Sequence, residues 1–209
     1  AELRVAVLTG AGGTFCSGMD LKAFVSGEIP YIEGRGFAGL TEYRANKPII
    51  AAVEGYALAG GMELAISCDM IVAANDSRFG IPELKRGLAA GAGGLYKLPK
   101  QMPPRVAMEL ALTGDFMSAE RAYELGLINQ VVESGSALTA AKEMAVRIAA
   151  NGPLAVAASM MVVTQSQDWT VDESKEKQAS FIDPVFSSED AIEGAMAFAE
   201  KRAPNWKGK

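Results

Sequence analysis

Residues 48–74 read PIIAAVEGYALAGGMELAISCDMIVAA, and no other stretch restricts the fold so tightly. Its length and apolarity would suit a membrane span, but Glu54, Glu63, Asp69 and several glycines interrupt it. Acids and glycines at that density fit a buried core unit better than a lipid-exposed helix. The β-rich segment KPIIAAVEGY (47–56) reads as one buried strand, with Pro48 near its start. The chain then turns at Ala59-Gly60-Gly61, enters a helix carrying Glu63, and returns as the strand MIVAAN (70–75). Strand, helix and strand at this spacing predict a βαβ connection and mostly parallel pairing.

The same grammar extends outward. LRVAVL (3–8) is a β-branched apolar run that reads as another buried strand. YIEGRGFAGLTEYR (31–44) is expected to be helical. PPRVAMELALTG is a helix headed by two prolines and stopped at Gly114. SAERAYELGL opens with a Ser118 cap, and INQVVE (128–133) is a short strand. From Ser136 onward helices dominate, so the expected organisation is an α/β core over 1–135 and a helical region over 136–209. The opening LRVAVLTG begins as though in mid-domain, and an N-terminal portion is expected to be missing.

Composition removes whole classes of chemistry. The 209-residue chain contains no histidine, which excludes Ser-His-Asp and Cys-His constellations and His-containing zinc sites. Two cysteines, Cys16 and Cys68, are too few for a disulfide framework and read as reduced cytosolic thiols. A net charge of −5 argues against a nucleic-acid surface. With no basic-then-apolar leader either, the expectation is a cytoplasmic protein off the membrane. Acid–base work must fall to carboxylates, Lys or Tyr.

Glu63 sits among Met62, Leu64, Ala65 and Ile66 in a helical first turn. One reading is a carboxylate complementing the positive end of a helix; the other is an acid that does chemistry beside freed backbone N–H groups. The partial fingerprint GAGGTF lacks the third glycine of a dinucleotide loop, because Phe15 stands there, and no phosphate loop follows. FCSGMDLK and ALAGGMEL each bend sharply at small residues. Facing each other, the two turns would aim the N–H groups of Met19 and Gly60 at one oxygen, an oxyanion hole. Glu83 follows Pro82 in an apolar setting; it is either a first-turn acid after proline or the partner of Glu63. Two carboxyls sharing a dry site hold one proton between them, which makes a general acid and base without histidine.

Taken in order, FCSGMDLK, KPIIAAVEGYALAGGMELAISCDMIVA, FGIPELKRGL, GAGGLYKLP and ALTGDFMSAERAYELGLINQVV resemble the enoyl-CoA hydratase/isomerase (crotonase) family. The likeness runs to SEDAIEGAMAFAEKRAPNWKG, and LPKQMPP with that C-terminal stretch is similar to the carnitinyl-CoA dehydratase branch. The resemblance implies a layered β–β–α core with a helical C-terminal trimerisation region, as a homotrimer or a dimer of trimers. It implies reversible addition of water to an α,β-unsaturated acyl-CoA. Double-bond isomerisation, carnitinyl-CoA dehydration and a non-catalytic acyl-CoA-binding role stand as alternatives.

By position, Glu63 and Glu83 match the paired acids, and Met19 and Gly60 the two oxyanion donors. Ser17, Asp20, Leu21, Lys22, Leu58, Gly61 and Pro82 match substrate- and CoA-lining positions, with Lys22 near a phosphate. Phe198 and Lys201 match positions that reach the CoA of a neighbouring subunit, or they are ordinary amphipathic helix packing. No cofactor beyond the CoA of the substrate and no metal is implied. Two departures are evident: family members begin with a strand pair and helix before the RVAVLTG strand, and Ala59 stands where a third glycine is frequent.

Overall fold

The structure, a computed structural model, describes residues 3–209. The chain forms two compact units, one of Val7–Ala45 with Ile49–Glu143, the other of residues 3–6, Asn46–Pro48 and Met144–Lys209.

The α/β unit begins with β1 (Ala6–Thr9) and a one-turn helix α1 (Leu21–Val25). The Asp20 carboxylate starts that helix by accepting from the N–H groups of Lys22 (2.8 Å) and Ala23 (3.2 Å). Next come β2 (Tyr31–Ile32) and β3 (Gly36–Phe37), an antiparallel hairpin where a helix was expected. Gly34, Gly36, Ala38 and Gly39 all take positive φ, between 50° and 73°. A right-handed helix cannot accommodate such a run, and glycine spacing outweighs the helical look of the segment.

The predicted long strand 47–56 is in fact two, β4 (Ile49–Val53) and β5 (Tyr56–Leu58), which belong to different sheets. The break falls at Glu54-Gly55, where Gly55 has φ 58°. The helix α2 (Gly60–Ala65) follows, then β6 (Met70–Ala74) and β7 (Arg78–Gly80). After a 3₁₀ turn over Pro82–Arg86 come α3 (Gly94–Gln101), α4 (Pro104–Thr113), β8 (Met117–Ser118), α5 (Ala119–Glu124) and β9 (Gln130–Val132). α4 ends at Gly114, and the Ser118 hydroxyl caps α5 by accepting from Arg121 N, as the sequence predicts. β7 and β8 were not anticipated; each has only two or three residues.

One sheet has the order β1-β4-β6-β9, with β4–β6 and β6–β9 parallel. A second has the order β5-β7-β8, parallel then antiparallel. Their residues and the helices around them bury one apolar cluster that includes Val53, Met62, Ile71, Phe79, Ile81, Leu98 and Leu110. Small residues such as Ala51, Ala52, Ala73 and Ala74 are fully buried, which lets neighbouring layers approach closely.

Two of the three acids in the apolar run are consumed by this framework. Glu54 accepts from Gly135 N (2.9 Å) and Ala137 N (2.8 Å), at the start of α6 (Ala137–Ala149). Asp69 accepts from Ile49 N (2.8 Å) and so fixes the start of β4. Glu63 has a different environment.

The helical unit contains the end of α6, with α7 (Pro153–Gln165), α8 (Val171–Phe186) and α9 (Glu189–Glu200). Thr170 and Glu173 form a reciprocal capping box on α8. The buried Asp190 carboxylate accepts from Lys207 N and Gly208 N and fastens the C-terminal tail to α9. Among the described residues no single helix is long and apolar enough to cross a membrane.

Candidate active site

A cavity of about 250 Å³ opens in the α/β unit, lined by both Glu63 and Glu83. Its walls come from four short segments: the turn and helix 17–24, the hairpin bearing Tyr31 and Phe37, the head of α2, and residues 82–91.

The first and third of these segments are locked together. Cys16 bridges to Ala57, Cys16 N donates to Tyr56 O (2.9 Å), and Leu58 N donates to Cys16 O (3.0 Å). Gly18 has φ 99°, and a Cβ there would lie 2.8 Å from the Ala59 Cβ and 3.2 Å from Gly60 N. The turn after residue 16 therefore lies directly against the entrance of α2, which brings Met19 and Gly60 to one wall. Among the described residues neither the Met19 nor the Gly60 N–H donates a hydrogen bond within the chain. As the first residue of a helix, Gly60 has no intrahelical acceptor for its N–H. A Cβ on Gly60 would strike the Phe37 ring at 2.6 Å, and one on Gly61 would lie 2.0 Å from Cys16 O. Ala59 itself takes φ 53° and ψ −127°, an unfavourable backbone for a residue with a side chain.

Glu63 is only 2% exposed. Its Oε1 accepts from Ala92 N (2.7 Å) and Gly94 N (2.8 Å), which anchors the carboxylate by one oxygen. Burial raises its pKa, opposed by those two N–H groups and by the charge of Lys97. Glu83 sits in the first turn after Pro82, and its Oε2 is buried without a hydrogen-bond partner. Burial also raises the Glu83 carboxyl; its own N–H opposes this and the Glu63 charge adds to it. An unpartnered buried carboxylate oxygen is costly, and the cost falls when the group carries a proton or meets a ligand. The Tyr31 phenol, on the same cavity, is pushed up by burial and by Glu63, Glu42 and Glu83.

Ser17, Met19, Leu21, Gly60, Glu63, Pro82 and Glu83 are brought to one cavity. Asp20, Lys22, Leu58 and Gly61 do not line it. Asp20 caps α1, Gly61 packs on the Cys16 carbonyl, Leu58 is buried in β5, and Lys22 is exposed. Phe198, 88% exposed, and Lys201, at the left-handed end of α9, belong to the helical unit. The sequence reading did not single out Phe24, Tyr31, Phe37, Arg86, Leu88 or the Ala92 and Gly94 N–H groups. The run GAGG (91–94) was a usable signal for the last two, since glycines allow backbone to approach a side chain closely. Among the described residues no group of three or more His, Cys, Asp or Glu gathers as a metal site.

A layered α/β fold that brings two glutamates to one cavity fits the class the ordered motifs predict. The sequence model of the enoyl-CoA hydratase/isomerase family matches residues 1–209. The chain belongs to that family, as the ordered motifs predict. It is 43% identical over 216 residues to the carnitinyl-CoA dehydratase of Proteus mirabilis, covering all of this chain and 83% of that protein. Among solved structures it is 59% identical to enoyl-CoA hydratase EchA1 of Mycobacterium marinum, with a TM-score of 0.96 over 99% of this chain and 82% of that one. The enoyl-CoA hydratase of Mycobacterium tuberculosis H37Rv is likewise 59% identical, with a TM-score of 0.97 and the same coverage.

Proposed function

We propose that this chain is a hydro-lyase that adds water reversibly across the α,β double bond of an acyl-CoA thioester. The observation that carries the reading is that Glu63 and Glu83, both raised by burial, share one cavity with the turn of Met19 and Gly60. In this reading the thioester oxygen lies between the Met19 and Gly60 N–H groups, the latter strengthened by the first turn of α2. Polarisation makes the β-carbon electrophilic and spreads the developing enolate charge onto that oxygen. Glu63, held by Ala92 and Gly94 through one oxygen, takes a proton from the attacking water with the other. Glu83, whose Oε2 has no protein partner, delivers a proton to the α-carbon. Dehydration runs the same steps backwards with the roles exchanged. The CoA of the substrate is the only cofactor this chemistry calls on, and cytoplasmic trimers are part of the same proposal.

A second reading, dehydration of carnitinyl-CoA, is favoured by one feature besides the P. mirabilis relative. Phe24, Tyr31 and Phe37 line the cavity, with the last two rings edge to face at 6.0 Å. Aromatic faces attract quaternary ammonium groups, whereas Arg86 on the same cavity repels them. Crotonyl-CoA hydration, followed as loss of enoyl-thioester absorbance, is expected to exceed carnitinyl-CoA dehydration at equal concentration. The reverse order assigns the dehydratase role, and no turnover of either overturns the hydro-lyase reading.

A further inference from the structure

Behind Glu63, away from the residues assigned to chemistry, Lys97 makes an unusual set of contacts for a half-buried ammonium. Its Nζ donates to Ser67 Oγ (2.7 Å), and Ser67 Oγ in turn donates to the backbone carbonyl of Glu63 (2.6 Å). The same Nζ donates to the carbonyl of Thr41. Thr41 is buried, and its hydroxyl accepts from Phe37 N (2.9 Å), so this branch ends on the ring that packs against Gly60. Lys97 itself stands on α3, one turn past Gly94, whose N–H holds Glu63 Oε1. One ammonium thus ties together the hairpin wall, the α2 wall and the helix that grips the Glu63 carboxylate.

The charges around this group are mixed. Glu63 faces Lys97 from α2, Glu42 and Arg44 from the turn after the hairpin, and Cys68 from the end of the α2 segment. Around Glu63 the other titratable neighbours are Glu83 and Tyr31 across the cavity. Burial lowers Lys97 and Glu63 raises it, while Lys97 lowers Glu63 in return. Glu63 also needs to be ionised to act as a base in a site whose burial favours the neutral acid.

We propose that Lys97 is a positioning residue for Glu63, clamping the hairpin, α2 and α3 segments that frame this carboxylate and placing a half-buried positive charge behind it. The consequence for turnover rests on the hydro-lyase reading, but the coupling itself does not.

The test therefore uses a readout independent of turnover. Carbon-13 labelling of the glutamate carboxyls lets Glu63 be titrated by NMR, its signal assigned by its loss in Glu63→Gln. In Lys97→Gln the Glu63 midpoint is expected to rise, by as much as about one pH unit. Lys97→Arg, which keeps the cation, is expected to restore it. The acid limb of kcat/KM moves in step, lowering the rate by as much as about tenfold on that side of the profile, with KM little changed. A folded Lys97→Gln with an unmoved Glu63 midpoint overturns the proposal, as does a midpoint that Lys97→Arg fails to restore. Should Lys97→Gln not fold, the reciprocal measurement decides: nitrogen-15 titration of Lys97 in Glu63→Gln must fall below wild type, and an unchanged midpoint overturns the proposal. Wild-type protein that titrates as expected but hydrates no enoyl thioester refutes the hydro-lyase reading and leaves the coupling intact.

Discussion

The two faces of the cavity hold the same residue type in opposite ways. On the α2 face, Glu63 is 2% exposed and its Oε1 is fastened by two main-chain N–H groups. On the 3₁₀ face, Glu83 offers a buried oxygen that nothing in the chain satisfies. In the proposed hydration, gripping one oxygen fixes where the base points, and leaving one bare keeps a proton available to give. The same residue type is thus given two roles by its surroundings in that mechanism.

The contrast is sharpest in turnover. Replacing Glu63 or Glu83 by Gln is expected to lower kcat by about 10²–10⁴-fold, while binding of a CoA thioester, measured by calorimetry, stays near wild type. Full activity in either variant would break the assignment.

A smaller effect is expected at the fastening itself. In Gly94→Ala the new Cβ would lie 3.1 Å from Glu63 Oε1 and 3.2 Å from the Ala90 Cβ. Shifting the carboxylate by a few tenths of an ångström is expected to cost about tenfold in kcat, read in steady-state assays with KM alongside. An equally active variant means that the grip tolerates more slack than the geometry implies.

The third test concerns stability. Burial pushes both acids above their ordinary value of 4.5. As pH rises from there, the folded state holds protons that the unfolded chain has released, so stability falls through that window. Glu83→Gln removes part of this decline and one charge facing Glu63. It is expected to melt about 2–4 °C higher than wild type at pH 8, with little difference at pH 4, by calorimetry at both values. The smallest effect is expected at Ala59, where glycine relieves the positive φ at the cost of a freer unfolded chain. Ala59→Gly is expected to gain no more than about 1 kcal/mol in denaturant unfolding, with activity retained.

The elements most legible in the sequence carried local signals. Proline at the head of α4, Gly114 at its end and the Ser118 cap each act within one turn of chain, so their bounds were readable. The split of 47–56 into two strands was not, because Glu54 is satisfied by residues 135 and 137, far along the chain. The helical expectation for 31–44 fails at the hairpin because Gly34, Gly36, Ala38 and Gly39 take positive φ, which no right-handed helix accommodates. For the site, both acids and the two turns were visible as motifs, and seven of the named positions meet in one cavity. The Ala92 and Gly94 donors leave only an indirect trace, the glycines of the run 91–94, because a main-chain N–H has no signature in residue type. Nothing in the sequence marks Lys97, whose partners, Thr41 and Ser67, lie 56 and 30 residues away along the chain.

The glycines beside the cavity carry one further consequence. Positions 18, 60 and 61 are each filled to contact by a different neighbour: the Ala59 methyl, the Phe37 ring and the Cys16 carbonyl. A larger residue at any of them displaces a second stretch of chain. Any enlargement at this corner therefore has to be matched by a change in the segment that faces it.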